Sequence, residues 1–212
     1  MIEATWAKLA SERAEILRGL HAYADKAFVP IMEDDSAGLL ANCVAEVRPS
    51  RILEIGTAIG YSGLLMLSVA EGATLTTIDI DEARVDVARC AFEAAGEMQN
   101  VHIILDDAAY VLPMLEKPFD FILLDGPKGQ YQAMLPDLLR LLTPEGMIFV
   151  DDTAYLGLVD NGEYPVHKHR TIVVNMRKFI QKINEDERLL VKTYATSSGV
   201  VTIQKRKELW NC

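Results

Sequence analysis

The sequence contains no hydrophobic stretch of the roughly 18–20 residues that a helical bilayer span requires, because charge interrupts every candidate run. Glu3, Lys8, Glu12 and Arg13 leave the first residues without the apolar core of a secretory signal. Cysteine is scarce. Cys43, Cys90 and Cys212 are odd in number and far apart, which argues against a disulfide framework or a zinc knuckle and fits a reducing, cytoplasmic compartment. The dinucleotide fingerprint G-x-G-x-x-G is missing too: counted from Gly56, its second and third glycines fall on Ala58 and Tyr61. A methyl group at Ala58 hinders the close backbone approach that a pyrophosphate needs, so a nicotinamide or flavin dinucleotide is disfavoured. Positive charge is in deficit, with 21 Lys and Arg against 31 Asp and Glu, which speaks against indiscriminate binding to polyanions.

Half of the 212 residues are hydrophobic, enough for a substantial core, and the length suits one domain. Residues 3–27 and 34–47 read as amphipathic helices parted by Val29-Pro30, an N-terminal cap over residues 1–47. From residue 48 strands and helices alternate. Strands are expected at Arg51–Ile55, Thr74–Ile80, Val101–Leu105, Phe119–Leu124 and Met147–Val150. Helices are expected at Tyr61–Glu71, Glu82–Ala95, Ala108–Leu115 and Tyr131–Leu142, the last ended by Thr143-Pro144-Glu145-Gly146. A loop over Thr153–Pro165 leads to a helix through about Lys182. Leu189–Ala195 and Val200–Gln204, joined by Thr196-Ser197-Ser198-Gly199, form an antiparallel hairpin. The expected fold is α/β: a doubly wound, Rossmann-like parallel sheet with that hairpin at one edge.

Ligands of such sheets bind beyond the carboxyl ends of the strands. The first strand runs into Gly56-Thr57-Ala58-Ile59-Gly60-Tyr61-Ser62, a glycine-bearing turn that permits close backbone approach. Asp79 ends the second strand, about 20 residues on, where a carboxylate accepts from ribose hydroxyls. Asp106 and Asp107 follow the third strand, suited to an adenine amino group or an ammonium, or to capping the next helix. Together these describe a nucleoside pocket without a phosphate, which S-adenosylmethionine would fill. Asp125-Gly126-Pro127-Lys128 follows the fourth strand and Asp151-Asp152 the fifth. Three carboxylates on one sheet edge repel one another unless a cation intervenes. Without nearby His or Cys, Mg²⁺, Mn²⁺ or Ca²⁺ suits them better than zinc. The alternative is that Asp125 or Asp152 caps a helix or pairs with Lys128.

The run Leu53-Glu54-Ile55-Gly56-Thr57-Ala58-Ile59-Gly60-Tyr61-Ser62, Asp125 with Lys128 and Tyr131, and the acidic pair Asp151-Asp152 resemble the metal-dependent catechol and caffeoyl-CoA class of O-methyltransferases. Within that class the likeness is strongest to bacterial enzymes acting on 5-hydroxyuridine in tRNA, and it runs from about residue 20 to the final hairpin. The resemblance implies that S-adenosylmethionine, leaving as S-adenosylhomocysteine, contacts Met32, Glu54, Gly56, Thr57, Gly60, Tyr61, Ser62, Asp79, Asp107, Ala108 and Asp125. It implies a divalent cation, Mg²⁺ first, on Asp125, Asp151 and Asp152, with Lys128 as base or orienting cation, and it implies a homodimer. One departure is visible: the family usually carries Asp-Asn where this chain has Asp151-Asp152.

The acceptor expected from the resemblance is the 5-hydroxyl of tRNA 5-hydroxyuridine, and the alternative is a small catechol-like or caffeoyl-CoA-like phenol. Residues 163–212 hold ten Lys and Arg against five Asp and Glu, so Lys168, Arg170, Arg177 and Lys178 are the expected tRNA contacts. Overall acidity suits the small phenol, over which Tyr155 to Tyr164 would close as a lid.

Overall fold

The computed structural model describes residues 11–154, 159 and 170–210. The expected helix start at residue 3, the lid from Tyr155 to Tyr164 apart from Val159, Lys168 and Cys212 lie outside those residues. Two helices come first, α1 (Ser11–Ala27) and α2 (Asp34–Val47), followed by β1 (Arg51–Ile55) and α3 (Tyr61–Val69). Then come β2 (Thr74–Asp79), α4 (Glu82–Ala94), β3 (Val101–Leu105), α5 (Ala108–Val111), β4 (Phe119–Leu124), α6 (Tyr131–Leu141) and β5 (Leu142–Val150). The chain continues through α7 (Arg170–Glu185), β6 (Leu189–Tyr194), β7 (Val200–Lys205) and α8 (Lys207–Trp210). Among the described residues no helix is long and apolar enough to cross a membrane.

The strands form one seven-stranded sheet ordered β3-β2-β1-β4-β5-β7-β6. The first five strands are parallel, and β7 runs antiparallel to both β5 and β6. Side chains alternate across a strand, and the sequence supplies apolar groups for both faces. Ile52, Phe121, Leu123 and Phe149 pack towards α1–α4. Leu53, Ile55, Ile122, Leu124, Ile148 and Val150 pack towards α5, α6 and α7. Each such burial is worth roughly 1.5–3 kcal/mol, so the two layers together hold the strand ends in place.

Two expectations are corrected, both at prolines. The helix over Ala108–Leu115 gives way after Val111 to a 3₁₀ turn, Leu112–Met114, because Pro113 has no N–H for the helical ladder. The fifth strand begins at Leu142, not Met147. Phe119 pairs with Leu142 and Phe121 with Met147, so the expected turn around Pro144 is a bulge within the strand.

Between β1 and β4 the order of the strands reverses, and their ends press together. A Cβ on Gly56, whose φ is +103°, would lie 2.3 Å from the Asp125 carbonyl oxygen, so only glycine fits there. The Gly56 amide donates to Ile78 O and the Asp125 amide to Ile55 O, which ties the ends of β1, β2 and β4 into one rim.

Candidate functional site

That rim is the floor of a cavity of about 620 Å³. Its walls come from Pro30–Glu33 before α2, the turn after β1, the ends of β2 to β5, and Ser197-Ser198 from the β6–β7 turn. Of the residues singled out in the sequence, Met32, Gly56, Thr57, Tyr61, Ser62, Asp79, Asp107, Ala108, Asp125, Lys128, Asp151 and Asp152 all line it. Glu54 and Gly60 do not. Glu54 lies one layer below, fully buried, where its carboxylate accepts from Ser62 Oγ and Thr77 Oγ1, each at 2.6 Å. Gly60, with φ of +84°, caps the start of α3 against Ala88 and Phe92. Arg170, Arg177 and Lys178 are on α7, outside the cavity wall, with Arg177 donating to Val159 O at 3.0 Å.

Asp79 is tied to the glycine turn: one oxygen accepts from the Ala58 amide at 2.8 Å and the other from the Asp81 amide at 3.0 Å. Ala58 itself takes a positive φ of 43° to present that amide. Asp107 caps α5 by accepting from the Ala109 amide at 2.8 Å, the structural role its position allowed, and it still borders the cavity.

At the opposite end the carboxylates gather about an ammonium. Lys128 Nζ stands 3.1 Å from Asp152 and 3.5 Å from Asp125. Asp152 reaches it from a left-handed backbone, φ 52°, a conformation aspartate tolerates better than most residues. Asp151 is buried and accepts from Ser198 Oγ at 3.0 Å. Burial pushes the Asp125 carboxyl up to about 7, with Lys128 opposing and Asp151 and Asp152 adding to the rise. Burial also raises the Asp151 carboxyl. Burial disfavours the Lys128 ammonium, but Asp125 and Asp152 outweigh it and hold its pKa above the ordinary lysine value. Tyr131, fully buried beneath this turn, stays protonated because burial and the three aspartates all oppose its ionisation.

The ion pair between Lys128 and two of the aspartates was one of the alternatives open in the sequence, and it is the arrangement present. Among the described residues no three acidic, His or Cys side chains are grouped to ligate one ion as they stand. The donor chemistry nevertheless fits a hard divalent cation. Three aspartates face a single lysine, and the Asp125 and Asp151 carboxyls are raised chiefly by burial with their acidic neighbours adding to the rise, the strain such an ion relieves. The sequence reading overlooked several wall residues. Ile80 and Arg84 follow β2 closely enough to have been suspected, whereas Ser197 and Ser198 lay in what read only as a hairpin turn.

An O-methyltransferase family model matches residues 7–206. The chain belongs to that O-methyltransferase family. The O-methyltransferase hkm8 of Aspergillus hancockii is 33% identical over 116 residues, a match covering 51% of this chain and 45% of that protein. A caffeoyl-CoA O-methyltransferase of Populus kitakamiensis is 25% identical over 182 residues, covering 81% of this chain and 76% of its own. Among solved structures, an O-methyltransferase from Bacillus cereus in complex with SAH superposes with a TM-score of 0.80 at 23% identity over 91% of each chain. This O-methyltransferase therefore shares its overall fold with that solved structure.

Proposed function

We propose that this O-methyltransferase carries the methyl group of S-adenosylmethionine to one hydroxyl of a small phenol whose ring bears a second oxygen alongside. The observation that supports it best is that one cavity joins the Gly56 turn, Asp79 and Asp107 at one end to the Asp125–Lys128–Asp152 cluster at the other. The first end suits a nucleoside and its amino-acid tail. Asp79 would hold the ribose, Ser62 and Asp125 would hold the methionine group, and Met32 would cover it.

Methyl transfer is an in-line displacement: the carbon–sulfur bond breaks as the oxygen–carbon bond forms, so alignment and an electron-rich oxygen are the requirements. The acceptor hydroxyl gives its proton to solvent, the donor leaves as the neutral thioether, and Lys128, kept charged by its two aspartates, stabilises the oxyanion that attacks. A divalent ion on Asp125, Asp151 and Asp152, Mg²⁺ first, would supply chelation of both acceptor oxygens and a lower hydroxyl pKa. The name of the Populus kitakamiensis relative favours a caffeoyl-CoA-like acceptor.

A second reading, 5-hydroxyuridine in tRNA, is favoured by one observation. Arg170, Arg177 and Lys178 lie on α7, and Asn175 of that helix donates to Gly129 O beside Lys128, at the acceptor end. Calorimetry with SAH, followed by transfer of labelled methyl to a catechol panel and to hydroxyuridine-containing tRNA, separates the two. The expected result is turnover of a catechol that stops in EDTA and returns with Mg²⁺. SAH binding without transfer to any phenol refutes the favoured reading, and labelling of tRNA alone establishes the second. Homodimerisation and a cytoplasmic location are proposed with it.

A further inference from the structure

The turn between β6 and β7 makes two sets of contacts that the reaction scheme above does not use. Towards the N-terminal segment, the Ser197 amide and hydroxyl both donate to Asp35, at 2.6 and 2.8 Å. Ser36 Oγ, fully buried, lies 3.0 Å from Thr196 Oγ1 and 2.9 Å from Ser198 Oγ. Towards the sheet, Ser198 Oγ donates to Asp151, while the Thr153 and Ala154 amides donate to Gly199 O and Ser198 O at 3.0 and 2.9 Å. Gly199, with φ of +74°, is seated so closely that a Cβ there would lie 2.8 Å from Ala154. Asp35 and Ser36 stand immediately after Pro30–Glu33, the cavity wall on the cofactor side. A chain of hydroxyls, buried at Ser36 and half-buried at Thr196 and Ser198, therefore runs from the cofactor wall, through a turn 160 residues distant in sequence, to a carboxylate at the acceptor end.

We propose that Asp35, Ser36 and Ser198 are positioning residues: they lock the Pro30–Glu33 wall, the β6–β7 turn and the Asp151 carboxylate into one unit, so that cofactor seated against the wall orders the acceptor end. The proposal rests on the cavity being the methyl-transfer site described above. A packing role alone would be met by apolar side chains. Instead, the joint is made of hydroxyls and two carboxylates, Asp35 and Asp151, groups with directional bonds that must be satisfied where they are buried, as at Ser36 and Asp151. Each hydroxyl has one hydrogen: Ser36 gives its own to Thr196 and Ser198 gives its own to Asp151, so the 2.9 Å contact between Ser36 and Ser198 persists only while both outer bonds keep their orientation. A bound cofactor that steadies residues 30–33 thereby lowers the ordering cost of Asp151, which is positive coupling between the two ends.

The test is hydrogen exchange on the full chain with and without SAH, alongside calorimetric SAH affinity. In the natural protein SAH should slow exchange of the Ser197, Thr153 and Ala154 amides by about tenfold, the scale of one charge-assisted hydrogen bond. Ser36→Ala should bind SAH within about threefold of the parent yet lose that distant protection. Asp35→Asn, altered at a half-exposed position and so no threat to folding, should weaken it in the same direction. Ser198→Ala should abolish it at Thr153 and Ala154, and Ser198→Thr, which keeps the hydroxyl, should restore it. Undiminished SAH-linked protection in Ser36→Ala, in Asp35→Asn and in Ser198→Ala overturns the proposal, as does its absence from a natural protein that binds SAH. Failure of the natural protein to bind SAH at all would instead overturn the reading of the cavity, and the proposal with it.

Discussion

Glu54→Gln tests the layer beneath the cavity. The Glu54 carboxyl is wholly enclosed on β1, and burial raises its pKa from 4.5 to about 7, against the opposing bonds from Ser62 and Thr77 and with Asp125 and Asp79 adding to the rise. Because the folded value lies above the unfolded one, the native state holds the proton more tightly. The stability this contributes is complete below pH 4.5 and is lost as pH rises through 7. A shift of that size is worth about 3 kcal/mol at roughly 1.4 kcal/mol per unit. Glutamine keeps an acceptor for one hydroxyl and offers a donor to the other, but has no proton to lose. Urea unfolding of both proteins at pH 5 and pH 8 is the assay. Glu54→Gln should gain on the natural protein by about 2–3 kcal/mol over that interval, a large share of the ~5–15 kcal/mol by which domains are stable. Asp125 and Asp151 titrate in both proteins, so all but the part that Asp125 owes to its repulsion from Glu54 drops out of the difference. A gap independent of pH would show that Glu54 is ionised throughout, and the argument from burial would fail.

Gly56→Ala should cost roughly 2–6 kcal/mol, combining a strained positive φ with overpacking against the Asp125 carbonyl 2.3 Å away, and any folded fraction should bind SAH poorly in calorimetry. Lys128→Met should lower kcat by about 10²–10⁴-fold in a labelled-methyl assay. It should also lower the melting temperature at pH 8 more than at pH 5, since Asp125, with its carboxyl raised to about 7, needs the ammonium only when ionised. Equal melting losses at both pH values would place the lysine's importance in packing.

Much of the sheet is legible in the sequence because its parallel strands are short apolar runs closed by glycine or aspartate. Arg51–Ile55, Val101–Leu105 and Phe119–Leu124 have the limits their composition suggests. The departures occur where local chemistry competes with tertiary packing. Pro144 reads as a turn, yet strand pairing continues on both sides of it, and Pro113 divides a helix that periodicity alone would carry to Leu115. The closing helix Lys207–Trp210 is too short for a periodic signal, and in the structure Trp210 rests on Arg188 and Lys205.

At the site, the residues at strand ends were legible because topology delivers every such end to one edge. The direction of individual side chains was not. Glu54 shares a face with Ile52 and points down into the α3 layer rather than into the cavity, a distinction invisible without the register. The bridging of Asp125 and Asp152 by Lys128 likewise depends on the left-handed turn at Asp152. Ser197 and Ser198 reach the wall only because β7 inserts beside β5, a pairing between strands some fifty residues apart.

That insertion has a consequence for how the acceptor pocket could be reshaped. Since β7 enters the sheet against the grain, its beginning, at Val201, and not its end, pairs with Val150 at the cavity edge. The connection bringing it there starts and finishes on neighbouring strands, so it is a closed loop on the catalytic rim. Lengthening such a loop costs only about 0.6 kcal/mol per doubling, and the ends of β1 and β2 are left where they are. Exchanging residues 195–199 as a cassette would therefore reshape the acceptor pocket and, through Asp35 and Ser36, act on the Pro30–Glu33 wall as well.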